Sequence, residues 1–152
     1  MNKRVTLRTE TGWVLRWTKV LEAGLRLRWG EPTYPMQGVP RRIPEEPNRL
    51  VGCYKVWVMN SDAGVIRVIV PRWSKCIVPG PLACLTVEIE QPELIPDDVK
   101  VRQELHRGRM HIREQVNENV NPDIAAEKMI GFLERLLVGK LNARKVEPDE
   151  QN

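Results

Sequence analysis

The alternation of apolar and polar residues predicts a β-hairpin near the middle of the chain. Two β-branched runs, at 54–58 and 65–70, flank the turn sequence NSDAG. In the first run Lys55 and Trp57 share one face, which we expect to point outward. The opposite face of this run carries Tyr54, Val56 and Val58.

Further strands are predicted downstream of this hairpin. Residues 83–90 alternate strictly, with Ala83, Leu85, Val87 and Ile89 set against Cys84, Thr86, Glu88 and Glu90. Residues 97–116 fit either a second hairpin that turns at 106–109 or a helix that begins at Pro96. Gly108 would lie in the middle of that helix and destabilise it, which favours the hairpin.

An amphipathic helix is predicted at 122–138. Asn121 is a good N-cap, Pro122 suits the first helical position, and Asp123 complements the positive end of the helix dipole. Apolar residues then recur at helical spacing: Ile124, Ala125, Met129, Phe132, Leu133, Leu136 and Leu137.

The N-terminal region is less clearly patterned. Residues 4–9 are typical of a strand, and 13–23 fit either a strand or a short helix that ends at Gly24. Both alternatives place Trp13 and Trp17 on one side. Residues 25–30 alternate as a strand would, with arginines on one face.

These elements predict one α+β domain over residues 1–146: a mostly antiparallel sheet of hairpins, packed on one face by the C-terminal helix. A proline-rich stretch at about 30–49 lacks periodicity and is expected to be a long loop, and 147–152 form a polar tail.

Charge is distributed unevenly along this domain. The first 76 residues hold 14 Lys and Arg against 6 Asp and Glu, whereas the whole chain has a net charge of +4. Four of the five tryptophans have a cation within two positions. Single-strand binders combine aromatic faces, on which bases stack, with cations that contact phosphates.

The first functional hypothesis is therefore non-specific binding of single-stranded DNA or RNA by a basic, Trp-containing N-terminal sheet face. Its predicted site residues are Arg16, Trp17, Arg26, Arg28, Trp29, Arg41, Arg42, Lys55, Trp57, Arg72 and Trp73. The basic turn HRGRMH at 106–111 could also contact phosphate. A competing interpretation places the tryptophans in the core, because the chain has one Phe and two Tyr.

The second hypothesis is a structural, assembly or adaptor protein that acts through protein–protein contacts. The apolar stripe of the C-terminal helix could serve a homodimer, and the basic half of one copy could dock on the acidic half of another.

Neither hypothesis involves catalysis, a cofactor or a metal. The sequence lacks the common nucleotide-binding, zinc-protease and serine-hydrolase motifs. His106 and His111 have an acceptable spacing for zinc, but Cys76 and Cys84 are too far apart for the common zinc knuckle. Glu88 with Glu90 fits a solvated strand face better than a cation site. Three cysteines, no secretory signal and no membrane-length apolar run predict a cytoplasmic protein, or one of the host cytoplasm if it is viral.

Overall fold

A computed structural model describes residues 7–37, 41–43, 46–51, 54–71, 82–96 and 104–146. The helices are α1 (Leu7–Trp29) and α2 (Pro122–Glu134); α2 continues as a π-helical turn over Arg135–Lys140, and a 3₁₀ turn spans Pro92–Leu94. The strands are β1 (Tyr34–Gln37), β2 (Arg41–Ile43), β3 (Glu46–Val51), β4 (Tyr54–Ser61), β5 (Gly64–Pro71), β6 (Leu82–Ile89), β7 (Arg109–Gln115) and β8 (Arg144–Lys145).

The main sheet is an antiparallel meander. Its strand order is β1-β4-β5-β6-β7, and β8 pairs with β4. Strands β2 and β3 pair with each other in a separate two-stranded sheet. This sheet and the two helices confirm the predicted α+β class.

Helix α1 is a single long helix because its large apolar residues recur every fourth position. Trp13, Trp17, Leu21, Leu25 and Trp29 are all buried on this one stripe. The strand predicted at 25–30 is therefore wrong: its Leu-Arg alternation is local, and Leu27 is 86% exposed. The helical alternative for 13–23 is correct, but the helix does not end at Gly24. The strand predicted at 4–9 is wrong for 7–9, which belong to α1, and 4–6 lie outside the described residues.

Gly24 is instead the point of closest approach between the two helices. A Cβ added there would lie 2.1 Å from Cδ1 and 2.8 Å from Cγ1 of Ile130 in α2. Both distances are far below a van der Waals contact, so a Cβ at position 24 would require the Ile130 side chain to move. Nearby contacts run in the same order along both helices, as Arg16 pairs with Asp123 and Arg28 with Glu134. The helices therefore pack side by side in parallel.

Helix α2 begins as predicted. The Asn121 side chain accepts a hydrogen bond of 2.8 Å from the backbone N–H of Asp123, and Pro122 takes the first turn. Leu133, Leu136 and Leu137 are buried in the core. Of the other predicted stripe residues, Ala125 is buried, Met129 and Phe132 are half-buried, and Ile124 is 52% exposed.

Both helices lie on the same face of the sheet. In β4, Lys55 Nζ donates to Glu22 of α1 at 2.8 Å, and Trp57 Nε1 donates to the carbonyl of Gly30 at 2.9 Å. The face of β4 with Lys55 and Trp57 therefore points inward, toward the helices. The prediction that it points outward is wrong, and Tyr54 lies on the side turned away.

The downstream strands follow the predicted alternation. In β6 the inward residues Ala83, Leu85, Val87 and Ile89 are buried. The turn at 106–109 is also confirmed: His106 and Arg109 form a bridge, with Arg107 and Gly108 at φ 54° and 77°. The helical alternative is wrong for 109–115, which form β7, and the first arm of this hairpin at 97–103 lies outside the described residues.

The proline-rich stretch is not one irregular loop. The short strands β1, β2 and β3 occupy most of it, and β1 extends the main sheet by pairing Tyr34 with Val56. Prolines at strand edges removed the periodicity that would have revealed these strands. The predicted tail at 147–152 lies outside the described residues.

Replacing Gly24 by Ala is expected to lower the free energy of unfolding by up to about 2 kcal/mol, measured by urea denaturation. Alanine is the better helix former by about 1 kcal/mol, but overpacking against Ile130 costs about 1–3 kcal/mol. The control is Gly12→Ala in the same helix: no described atom lies within 4 Å of the added methyl, so this variant should gain stability. Equal effects of the two substitutions would contradict the close crossing.

Candidate nucleic-acid interface

The tryptophans predicted as stacking platforms are buried. Trp17 and Trp57 are fully inaccessible and Trp29 is 6% exposed. None of these three rings offers a face to a base, which corrects the proposed Trp-containing surface. Their neighbour Trp13 is also buried and donates through Nε1 to the carbonyl of Val120 at 2.9 Å.

The predicted cations beside them are engaged in ion pairs. Arg16 forms two hydrogen bonds with the Asp123 carboxylate, at 2.7 and 2.8 Å, so the pair is bidentate. The remaining pairs are Arg26 with Glu31 at 3.0 Å, Arg28 with Glu134, and Lys55 with Glu22 at 2.8 Å. These contacts join α1 to its surroundings, and they compete with any phosphate for the same donors.

The side chains of four predicted site residues lie outside the described part of the structure. Arg41 and Arg42 lie in β2, whose backbone alone is described. Arg72 and Trp73 lie outside the described residues. The eleven predicted residues are thus not brought together on one described surface.

A different surface has the properties that the hypothesis requires. The side of the main sheet turned away from the helices, here called the open face, is packed against no helix of the described residues. The cross-strand register turns to this side Tyr34, Tyr54, Val56, Val58, Arg67, Ile69, Cys84, Thr86, Glu88, Arg109, His111 and Arg113. Of these residues Val56 is fully buried, and the others are half-buried or exposed.

One side of the open face is aromatic. Tyr34 and Tyr54 are the two tyrosines of the chain, and each is 38% exposed. They share a face because Tyr34 pairs with Val56, which lies two residues from Tyr54 on β4. Met36, two residues beyond Tyr34, is 52% exposed. Exposed rings on adjacent strands are suited to stacking on bases.

The other side of the open face is cationic. Arg67, Glu88 and Arg109 form a row across three strands, in which Glu88 contacts Arg67 at 3.4 Å and Arg109 at 2.8 Å. Each ion pair uses the Nε of its arginine, and the Arg109 side chain remains 62% exposed. With the exposed Arg113, the open face carries three guanidinium groups, against the carboxylates of Glu88 and, just past the end of β6, Glu90.

A shallow depression of about 550 Å³ joins the two sides of the open face. Its lining includes Tyr54, Ile69, Arg67 and His111. The His111 Nδ1 lies 3.0 Å from the Thr86 hydroxyl, which fixes the imidazole against the sheet. An apolar floor flanked by cations matches the two parts of a nucleotide, its base and its phosphate.

Cys84 adds no negative charge to the open face. Burial raises the pKa of its thiol, and the nearby Arg113 opposes that shift only in part. The thiol therefore stays protonated at neutral pH, and its thiolate, the reactive form, is suppressed.

The paired carboxylates of β6 are engaged by protein groups rather than arranged around a cation. Glu88 contacts two arginines, and Glu90 Oε1 accepts from the backbone N–H of Val65 at 3.3 Å. Among the described residues, no three His, Cys, Asp or Glu side chains are grouped to hold a metal ion. No helix among the described residues is long and apolar enough to cross a membrane.

The sequence interpretation missed this surface although a signal for it existed. The alternation in 54–58 separates Tyr54 from Trp57 correctly, but the larger aromatic was assigned to the outside. Trp is usually buried, and the polar edge of Tyr favours a partly exposed position. The basic turn HRGRMH at 106–111 is a second signal, because its Arg109 and His111 belong to β7 and lie on the open face.

Comparison of the chain with protein-family models, with curated proteins and with solved structures gives no match. The function therefore has to be inferred from the chemistry of the site.

The Arg16–Asp123 pair generates a pH prediction. Hydrogen bonding to Arg16 holds the pKa of Asp123 below its ordinary value of 3.8. A carboxylate whose pKa is lowered in the folded state stabilises the fold above its unfolded pKa, and this contribution is lost as the pH falls through the folded pKa. Asp123→Asn should therefore lower the thermal midpoint at neutral pH, with a difference from wild type that shrinks as the pH falls below 3.8 and through the lowered pKa of the folded state.

Glu127→Gln is the matched control for this prediction, because Glu127 lies on the same helix and forms no ion pair with a described residue. It should shift the midpoint less than Asp123→Asn at neutral pH. A constant offset of Asp123→Asn at every pH would show that the ion pair is not the cause.

Proposed function

We propose that the protein binds single-stranded nucleic acid through the open face, without sequence-specific readout and without catalysis. The observation that carries the proposal is the placement of both tyrosines, each partly exposed, on the same sheet face as Arg67, Arg109 and Arg113. The function is the one that the charge distribution suggests, whereas the surface differs from the predicted Trp-containing one.

Binding would combine stacking with phosphate contacts. A base stacked on an aromatic side chain contributes roughly 1–3 kcal/mol, and it does so for every base because each has a π face. The arginines would contact the phosphates and release counterions, which makes the affinity fall with salt. From β1 to β7 the sheet spans four strand spacings, about 19 Å, which suits a short segment of a few nucleotides.

The fold also favours single strands over duplex. A duplex reader needs an element that enters a groove, usually a helix or a two-stranded ribbon. Both α1 and α2 lie against the inner face of the sheet, and their apolar stripes are buried. The open face is a broad surface on which unpaired bases can lie flat.

The second candidate function is a protein–protein adaptor or assembly role on the same surface. Tyr, Met and Arg are enriched in protein interfaces, and the open face combines Tyr34, Tyr54 and Arg109 with the nearby Met36. The homodimer predicted through the stripe of the C-terminal helix has less support, because Leu133, Leu136 and Leu137 are buried within the chain.

The test is the fluorescence anisotropy of labelled oligo(dT) titrated with protein. Tyr54→Leu should weaken binding roughly 5- to 150-fold, the equivalent of one lost stacking contact, whereas Tyr54→Phe, which keeps the ring, should bind like wild type. Equal binding by the Leu and Phe variants would rule out stacking at Tyr54.

The cationic side is tested by the salt dependence of the same titration. Arg109→Ala should reduce the slope of log affinity against log salt by about 0.7–1, the effect of one phosphate contact. Arg135→Ala is the control, because Arg135 is exposed on the helical side of the molecule. If wild type fails to bind at low salt, the nucleic-acid proposal is wrong, and a protein partner for the open face becomes the better candidate.

A further inference from the structure

The parallel helix pair gives the molecule two chemically different ends. Trp13 contacts Val120 near the start of α2, whereas Arg28 contacts Glu134 at its last α-helical residue. Both helix N-termini therefore lie at one end, and both C-termini lie at the other. A 23-residue helix such as α1 separates the two ends by about 34 Å.

The N-terminal end has a groove with an excess of carboxylates, here called the acidic groove. Glu114, Glu118, Val120 and Ile124 line its walls, around a volume of about 620 Å³, with Lys128 also in the lining. Neither glutamate forms an ion pair with a described residue. Val120 and Ile124 are 39% and 52% exposed, so the groove also presents apolar surface.

The C-terminal end has a cleft of opposite charge, here called the basic cleft. It is lined by Arg28, Asn60, Val138, Arg144 and Lys145 and has a volume of about 940 Å³. Arg144 is exposed and forms no ion pair within the described ranges. Val138 is 47% exposed and gives this cleft an apolar wall as well.

The helix dipoles explain part of this charge distribution but not all of it. Acidic groups near helix N-termini and basic groups near C-termini are stabilising. At the N-terminal end Asp123 is already paired with Arg16, and at the other end Lys145 donates to the carbonyl of Glu31. Glu114, Glu118 and Arg144 lie beyond these internal pairs and remain available to a partner.

We propose that the basic cleft of one copy docks on the acidic groove of a second copy, so that the chain associates head to tail. Charge complementarity selects this partner: free carboxylates meet a free guanidinium, and exposed apolar residues lie beside both. Because the two surfaces differ, the contact is heterologous and leaves one groove and one cleft open for further copies. The contact uses neither tyrosine of the open face and stands independently of nucleic-acid binding.

The association is expected to be weak and sensitive to salt. Exposed ion pairs contribute about 0–1 kcal/mol each, and their attraction is screened at moderate ionic strength. The wild-type protein, free of nucleic acid, should therefore show a mass that rises with concentration at low salt and returns toward the monomer as salt is added.

The test uses two charge reversals, Arg144→Glu and Glu118→Lys, followed by sedimentation velocity at low salt. Each variant alone should remain monomeric, because positions 118 in the groove and 144 in the cleft then carry charges of the same sign and repel each other. An equimolar mixture of the two should associate again, because every contact between unlike copies joins opposite charges. The double variant should also associate, with the two charges exchanged.

Several outcomes would overturn the proposal. They are a wild-type protein that stays monomeric at low salt up to high concentration, single variants that associate like wild type, and a mixture that stays monomeric. Circular dichroism must first show that both variants are folded. If Arg144→Glu is not folded, Arg144→Gln replaces it, and that variant should weaken self-association about two- to fivefold. Self-association equal to that of wild type would then overturn the proposal.

Discussion

The packing of α1 against α2, which is closest at Gly24 and Ile130, is the interaction on which the rest of the structure depends. The two helices lie side by side, in parallel, on one face of the antiparallel sheet. The apolar stripe of α1 then packs into the space between α2 and the sheet, which buries Trp17 and Leu21. A fully buried large side chain contributes roughly 1.5–3 kcal/mol, so this stripe supplies much of the core. With both helices on one side, the opposite face of the sheet is left for other contacts.

The periodic elements of this fold could be predicted because one residue pattern dominates each of them. The cap at Asn121 and the alternation through β6 each depend on neighbouring residues, and both are found as predicted. The extent of helix α1 was predicted incorrectly, because two local features of the sequence conflict with its four-residue repeat. Gly24 suggested a helix end, and the alternation around Leu27 suggested a strand. In the structure Gly24 lies inside the helix at its closest approach to α2, and Leu27 is an exposed residue of the same helix.

The candidate site was harder to predict, because sequence spacing shows which residues share a strand face but not which face the helices cover. Lys55 and Trp57 were correctly grouped, yet they point toward α1. Cations near a tryptophan in sequence proved to be partners of acidic residues far along the chain, as Arg16 is for Asp123. The open face is assembled from five strands, so its arginines and tyrosines come together only through the strand register.

Photochemical cross-linking of the protein to oligo(dT), followed by mass spectrometry of the peptides, tests most directly which surface binds. Aromatic side chains that stack on bases are the ones placed for such adducts. Adducts at Tyr34 and Tyr54, with His111 as a further position, are the expected result, since all three lie on the open face. Adducts confined to α1, at Trp13 or Trp17, would contradict both the buried stripe and the assignment of the open face as the binding surface.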